Sequence, residues 1–504
     1  MSLEAHLLSG GPKKILALDG GGIRGALTLG YLQRTEELLR QRQGGDTSFR
    51  LCDYFDLIGG TSTGSIIAAC LAIGMSVEEI REKYFELGGR IFGKKYRWWD
   101  PVEWKNLIRA GYDVRPMQTE LHNVFGDITM GSDQIRTGLC IVTKRADTNS
   151  IWPIINHPGG KYFDSDLGKN KDILLWKAVM ASSAAPTYFL AQLIDVGGGA
   201  PLAAFIDGGV SMANNPAFQL LMVATLKGFP FRWRLGADNL LLVSIGTGMT
   251  EMIKLPDMIA ENSLLDWARQ LPYMLLQDAS WHNQAILQWL SHTPTPCVID
   301  GEIGDMKDDI LSSDANSKGL LSYLRYNVNL TTKELSSLMK KPYTQQDVLR
   351  VSDMSNTSKR FELYEIGYAA GKANILEEHF PEHFNCKSRD QQTKSSEAAM
   401  KNTSLPDIEI VSEMVHDAWR KEKEGLGFHA PISCPSASHR NYLNSKKTGA
   451  DFDPSIDERK NKWCPLCHPN MYPYGELTEQ EKELDRATVR TVYDAIRNLR
   501  EGKQ

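Results

Sequence analysis

The sequence predicts an α/β protein: a mostly parallel central sheet covered by helices, followed by a small, mainly helical domain. Three observations carry this. Short apolar runs stop at glycine and give way to helical periodicity, in the order strand, helix, strand, helix. Further apolar runs of strand length continue the alternation. Near Cys386 the composition turns polar, and beyond it two segments read as helices. The chain has 504 residues, 42% hydrophobic and 24% charged, enough for two domains and a large buried core.

The first strand is expected over Lys14–Asp19, an apolar run that meets three glycines and so ends in a tight loop. A helix from about Arg24 to Arg42 follows. The unit repeats with a strand over Tyr54–Gly60 and a helical pattern over Ser65–Ile73. Ser76 and Glu79 stand at capping-box spacing, so another helix is expected to run to about Leu87. Leu139–Thr143, Ala203–Ile206 and Leu240–Ile245 are apolar runs of strand length, which suits a parallel sheet buried on both faces. Lys387–Glu397 has no large apolar residue and cannot build a core, which sets domains at 1–385 and 408–504 with a linker over 386–407. In the tail, helices are expected over Ile408–Lys423 and Thr478–Arg500, the second opening with Thr478 and Glu481 at capping-box spacing.

Charge and cysteine usage narrow the partners. Lysine and arginine total 57 against 62 aspartates and glutamates, a net charge of −5 that gives no whole-chain reason to expect nucleic acid. No apolar run approaches the roughly twenty residues of a spanning helix. Residues 1–14 lack the apolar core of a secretory signal, and eight scattered cysteines suit reduced thiols. The expectation is a cytoplasmic protein that needs no cofactor, with its oligomeric state left open.

Three motifs bear chemistry. Gly60-Thr-Ser-Thr-Gly64 is a G-x-S-x-G sequence between a predicted strand and a predicted helix, the setting in which a sharp turn exposes the hydroxyl of Ser62. Taken alone, the pentapeptide serves equally as a turn that caps the next helix. Asp19-Gly-Gly-Gly-Ile-Arg-Gly25 has two readings. In a hydrolase its successive backbone N–H groups make an oxyanion hole, with Arg24 adding positive charge near an anionic substrate. In a dinucleotide-binding domain Gly20, Gly22 and Gly25 hold pyrophosphate, but that reading wants an acidic residue at the end of the second strand. The second strand ends instead in Gly60–Gly64, which favours the hydrolase. Asp207-Gly-Gly209 puts a carboxylate at the tip of another predicted strand, and in parallel sheets such tips converge on one edge. There Asp207 can take the serine proton; the commoner role of Asp-Gly is a turn aspartate bonded to its own backbone.

The three motifs, in this order, resemble the patatin-like phospholipases, with D-G-G-G-x-R-G, G-x-S-x-G and D-G-G. Ala181–Pro186, Asn214-Asn-Pro216 and Ser244–Gly248 also look like that family, and the resemblance covers about residues 13–380. It implies a patatin-like three-layer fold and a Ser62–Asp207 dyad without a catalytic histidine. It also implies an oxyanion hole from the Gly20, Gly21 and Gly22 amides, and hydrolysis of phospholipid or lysophospholipid acyl esters at a membrane surface. Arg90–Trp99 interleaves basic and aromatic residues, which suits an anionic lipid interface or a loop with buried tryptophans.

In the tail, Val411–Trp419 with Gly425, and later Pro473–Tyr474, Leu477, Glu481–Lys482 and Asp485–Arg486, resemble the ryanodine-receptor domain. This implies a sensor for a nucleotide-like ligand, with Trp419, Tyr472 and Tyr474 as stacking faces and Arg486 as a phosphate partner. The four are equally readable as core or surface residues of a helical bundle. By analogy of domain pairing, the whole reads as a signal-gated effector of bacterial antiviral defence. Two rivals stand beside it: an unregulated hydrolase with an assembly tail, and a non-catalytic dinucleotide-binding or scaffolding protein. Cys464 and Cys467, with Cys434 and His439, supply ligand types for a structural zinc or are buried thiols in a turn.

Overall fold

The computed structural model describes residues 2–91, 114–186, 188–197, 199, 202–250, 256–311, 318–385, 407–428 and 471–500. The chain divides into two compact units, Met1–Cys386 and Lys387–Gln504. Unit 1 is built on strands β1 (Lys13–Leu18), β2 (Leu57–Thr61), β3 (Gly138–Arg145), β4 (Ser150–Ile155), β5 (Gln192–Ile194), β6 (Ala203–Asp207), β7 (Leu240–Ile245) and β8 (Ser322–Tyr326). They form one eight-stranded sheet in the order β5-β6-β3-β2-β1-β7-β8, with β4 also paired to β3. The pairs β1–β2, β1–β7, β2–β3 and β7–β8 are parallel, so the sheet is mixed but mostly parallel.

Every residue of β1, β2, β7 and β8 is buried, because helices cover both faces. The strand period of two divides these side chains between two cores. Leu16, Leu18, Ile58, Leu241 and Val243 join the cluster that includes Leu27, Ile67 and Ile366 of the helices Gly25–Arg42, Thr63–Ala72 and Arg360–Asn374. Ile15, Ala17, Leu57, Leu240 and Leu242 face the other way, onto Leu220 and Val223 of the helix Ala217–Thr225. From β1 the chain steps to β2 on one side, while β7 lies on the other. The loop after β1 therefore stands where the strand order reverses, the usual place for a ligand in such a sheet.

The strand that carries Asp207 is not one of the parallel set. β2 pairs with β3 as far as Thr61 opposite Val142, and β3 then continues past it. β6 takes the vacated edge, running antiparallel, with Phe205, Ile206 and Asp207 opposite Arg145, Lys144 and Thr143. β4 occupies the opposite edge of the same residues. Thus β2 and β6 lie end to end along one side of β3, and their carboxyl ends meet at Val142 and Thr143. Asp207 reaches the level of Ser62 by meeting it head-on, which corrects the expectation of two parallel tips.

Strands β4, β5 and β8 and the long helix Leu264–Leu290 were not predicted from the sequence. In unit 2 the helices Ile408–Gly425 and Glu479–Arg500 pack together beside a short turn at Tyr474–Glu476. Thr478 closes the expected capping box, its N–H and hydroxyl donating to Glu481 at 2.9 and 2.8 Å. Among the described residues no helix is long and apolar enough to cross a membrane.

Candidate active site

Ser62 sits on the turn between β2 and the helix Thr63–Ala72 with φ 54° and ψ −125°. For a residue with a Cβ this backbone is strained by about 1–3 kcal/mol, and the surroundings must hold it. They do so from both sides. The Ser62 N–H donates to the Ser182 hydroxyl at 2.9 Å, and that hydroxyl donates to the Val142 carbonyl at 2.6 Å. The flanking glycines are required by contact: a Cβ on Gly60 would lie 2.2 Å from the Gly64 carbonyl carbon, and one on Gly64 would lie 2.2 Å from the Leu18 carbonyl oxygen. The turn is thus pressed against the end of β1, which delivers the glycine-rich loop.

Asp207 is 5% exposed and its carboxylate accepts from the Gly209 N–H at 2.7 Å. The Ser62 side chain stands close enough to favour its charged form, and both residues line one cavity. The turn-aspartate contact and the contact to the serine coexist, so the two sequence readings of Asp-Gly are compatible. Burial pushes the Asp207 carboxyl up to about 6, with the Gly209 hydrogen bond and then the nearby Ser62 side chain holding it back. A carboxylate so placed is ionised at neutral pH and basic enough to accept a proton from a hydroxyl in attack.

The glycine-rich loop is fixed by residues far along the chain. The Gly20 N–H donates to the Asn214 carbonyl at 3.0 Å, so that amide is already engaged. The Ile23 N–H donates to the Met354 carbonyl at 2.9 Å. Gly22, at φ 56°, leaves no room for a side chain, since a Cβ there would lie 2.6 Å from the Met354 oxygen. Thr247 donates to the Gly20 carbonyl at 3.0 Å. Tyr84 donates to the Gly22 carbonyl and meets the Thr63 hydroxyl, both at 2.6 Å, and so ties the loop to the elbow helix.

Behind the loop lies a feature the sequence reading missed. Arg325 of β8 is 3% exposed and clamps Asp19 with two bonds of 3.0 and 2.6 Å, while also donating to the Ser244 hydroxyl at 2.7 Å. Burial opposes the arginine charge and Asp19 more than restores it, so the guanidinium stays protonated. A signal was present: an arginine inside the apolar run Leu320–Leu324 and Tyr326 is a buried charge that needs a partner.

Ser62, Asp207, Gly20, Gly21, Gly22 and Arg24 all line one cavity of about 430 Å³, with Phe189, Asn214, Leu276 and Met354 among its other walls. The proposed tail residues lie in unit 2. His416, buried, donates from Nε2 to the Tyr472 carbonyl and sets Nδ1 against the Asp485 carboxylate, each 3.0 Å away. Its ring stands 5.7 Å from that of Trp419 and 5.8 Å from that of Tyr474. Arg486 bridges the two helices, donating to Glu409 at 2.8 and 2.7 Å and to Glu479 at 2.8 Å. Cys434, His439, Cys464, Cys467 and the segment 92–99 lie outside the described residues.

A family profile described as patatin-like phospholipase matches residues 16–221, which include all three motifs. Patatin-like protein 2 of Arabidopsis thaliana is 30% identical over 377 residues, 65% of this chain and 83% of that protein. A cGAMP-activated phospholipase of Vibrio cholerae is 34% identical over 210 residues, 41% of this chain and 56% of that protein. A protein of the same description from Escherichia coli is 32% identical over 218 residues, 41% of this chain and 54% of that protein. The match spans about half the length of the two bacterial relatives. On the extent of the match to the plant protein, the chain belongs to the patatin-like phospholipase family, whose members are carboxylic ester hydrolases.

Proposed function

We propose that this chain hydrolyses phospholipid acyl esters with Ser62 as nucleophile and Asp207 as its base. The observation that carries the reading is that Ser62, on a strained strand-to-helix turn, and the buried carboxylate of Asp207 line one cavity walled by the glycine-rich loop. Asp207 takes the Ser62 proton as Oγ attacks the ester carbonyl, and returns it to the leaving alcohol; a water molecule, activated the same way, then releases the acyl group. The Gly20 amide is committed to Asn214, so the developing oxyanion falls to the amides of Gly21 and Gly22. Arg24, on the cavity wall, attracts the phosphate of the substrate. The test is labelling by a fluorophosphonate probe, which maps to Ser62 and disappears in Ser62→Ala. Labelling elsewhere, or ester hydrolysis that survives in Ser62→Ala, sinks the dyad.

A second element of the proposal is control by a nucleotide-like ligand at unit 2, in a membrane-attacking effector of antiviral defence. It is supported by the likeness to two bacterial relatives that are cGAMP-activated phospholipases, and by the sequence resemblance of the tail to the ryanodine-receptor domain. Trp419 and Tyr472 are partly exposed and offer stacking faces, whereas Tyr474 is buried and Arg486 already holds two carboxylates. A phosphate at Arg486 must therefore displace Glu409 or Glu479.

A further inference from the structure

The residue that takes one amide out of the glycine-rich loop sets a side-chain donor beside it. Asn214 lies between β6 and the helix Ala217–Thr225, and its backbone carbonyl accepts the Gly20 N–H at 3.0 Å. A Cβ on Gly20 would lie 2.5 Å from Asn214 Oδ1 and 3.2 Å from Ser62 Cβ, so the carboxamide and the serine flank one point. A Cβ on Gly209 would lie 2.9 Å from the same Oδ1 and 3.0 Å from Asp207 Oδ1. Each such point is where a glycine carries its second hydrogen. Gly20 and Gly209 thus both aim a C–H at Oδ1, a weak attraction that orients the carboxamide and leaves Nδ2 at its other end. Nδ2 has no hydrogen-bond partner among the described residues, and Asn214 lines the cavity together with Ser62, Asp207 and the loop. Its neighbour is the contrast. Asn215 is fully buried, and its Oδ1 accepts from the Ala217 N–H and the Ser244 hydroxyl at 3.1 and 3.3 Å.

We propose that Asn214 Nδ2 donates to the oxyanion formed at Ser62, as a side-chain donor beside the Gly21 and Gly22 amides. The inference rests on the reading of Ser62 as nucleophile and deepens it with a residue that acts while the intermediate is charged. As Oγ bonds the ester carbon, the π pair of the carbonyl moves onto its oxygen and the hydroxyl proton passes to Asp207. Nδ2–H donates to that oxygen and keeps its own proton. The pair then returns to carbon, and the alcohol leaves with the proton from Asp207. An uncharged donor suits this place, because a cation so near Asp207 would weaken it as a base.

Two variants of the full-length chain test this: Asn214→Ala, and Asn214→Leu, which keeps the volume without the donor. Both retain the backbone carbonyl that holds the Gly20 N–H, and a thermal melt checks that each variant folds. Hydrolysis of monomeric p-nitrophenyl butyrate is expected to lose about 100-fold or more in kcat with KM little changed, as for a lost oxyanion donor. A purely structural role would lower kcat as well, so a second measurement decides. A trifluoromethyl ketone adds the serine Oγ and then carries a charged oxygen, whereas the matching methyl ketone stays a carbonyl. The wild type is expected to bind the first about 100-fold or more tightly than the second. Both variants are expected to narrow that ratio by about tenfold or more, a loss of about 1.4 kcal/mol. An unchanged ratio in either variant, with the wild-type preference in place, overturns the donor whatever happens to kcat. A shifted midpoint in the pH dependence of kcat/KM with the ratio unchanged also overturns it, and assigns Asn214 to tuning Asp207. Equal binding of the two ketones by the wild type defeats the nucleophile reading, and the donor with it.

Discussion

Asp207 joins two demands that pull against each other. In the proposed role of base it must be ionised and starved of water, and burial that raises its pKa to about 6 makes ionisation costly to the fold. Hydrolysis should accordingly rise with pH through about 6 in kcat/KM and level off above it, since only the ionised carboxylate accepts the Ser62 proton. A rate that stays flat from pH 5 to pH 8 (about one unit below to two above that value) removes Asp207 from this role. Stability moves the other way. The folded pKa lies above the unfolded one, so the folded state holds the proton more tightly, and this stabilising share is full below about pH 4 and lost as pH rises through about 6. Asp207→Asn should therefore abolish hydrolysis while melting a few degrees higher at pH 8, on the order of a few kcal/mol, with the difference closing near pH 4. A second prediction concerns the turn itself. Ser62→Gly relaxes a backbone at φ 54° that any Cβ strains, and should be more stable than Ser62→Ala by about 1 kcal/mol in urea unfolding. Equal stabilities would mean the elbow carries no strain at this residue.

At the scale of elements, the site depends on a strand that contributes nothing to the reacting groups. β8 places Arg325 behind the loop after β1, and its clamp on Asp19 fixes where the Gly21 and Gly22 amides point. Arg325→Met should cost about 3–5 kcal/mol, because it strands a buried carboxylate without its partner. Adding Asp19→Asn to it removes the stranded charge and should recover part of that loss, as read by urea unfolding. Strict additivity of the two substitutions would show that the residues act separately. What the sequence made legible follows the same division. The glycine loop and the elbow are local, written in consecutive residues whose shape requirements show in their glycines, so both were readable. The Arg325 clamp pairs residues 306 positions apart, so nothing local to either one names its partner. Asp207 was found by a route the structure corrects: its strand is antiparallel and abuts β2, an arrangement that depends on β3 outrunning its neighbour. Nothing in the short run Ala203–Ile206 reports strand direction, which is set by pairing with β3 and not by local pattern.

At the scale of the whole molecule, the proposed hydrolysis of membrane lipid would need restraint, and unit 2 is where the proposal places it. The described part of that unit packs a small buried set, Met471, Tyr474, Leu477, Val489 and Tyr493, and carries ion pairs at its surface. Arg486 ties Glu409 of one helix to Glu479 of the other, and such exposed pairs contribute little each. A ligand that binds one arrangement of such a small helix pair better than another shifts it toward that arrangement. A ligand shifts activity only through its differential affinity for the active and resting states, and the coupling is reciprocal. A cyclic dinucleotide that raises hydrolysis by the full-length chain should therefore also raise its melting temperature, and should bind more tightly when a substrate analogue occupies Ser62. Trp419→Ala, which removes a stacking face, should shift the activating concentration upward by about tenfold, the worth of one aromatic contact of 1–2 kcal/mol. Arg486→Ala separates the two roles open to that side chain. If it binds phosphate, the loss falls on ligand affinity; if it is only the bridge between helices, the loss falls on the melting of the unit and the activating concentration is unmoved. Should no nucleotide change the rate or the melting temperature, and should removal of residues 387–504 leave hydrolysis of vesicles as it was, the gate is absent and the tail serves assembly instead.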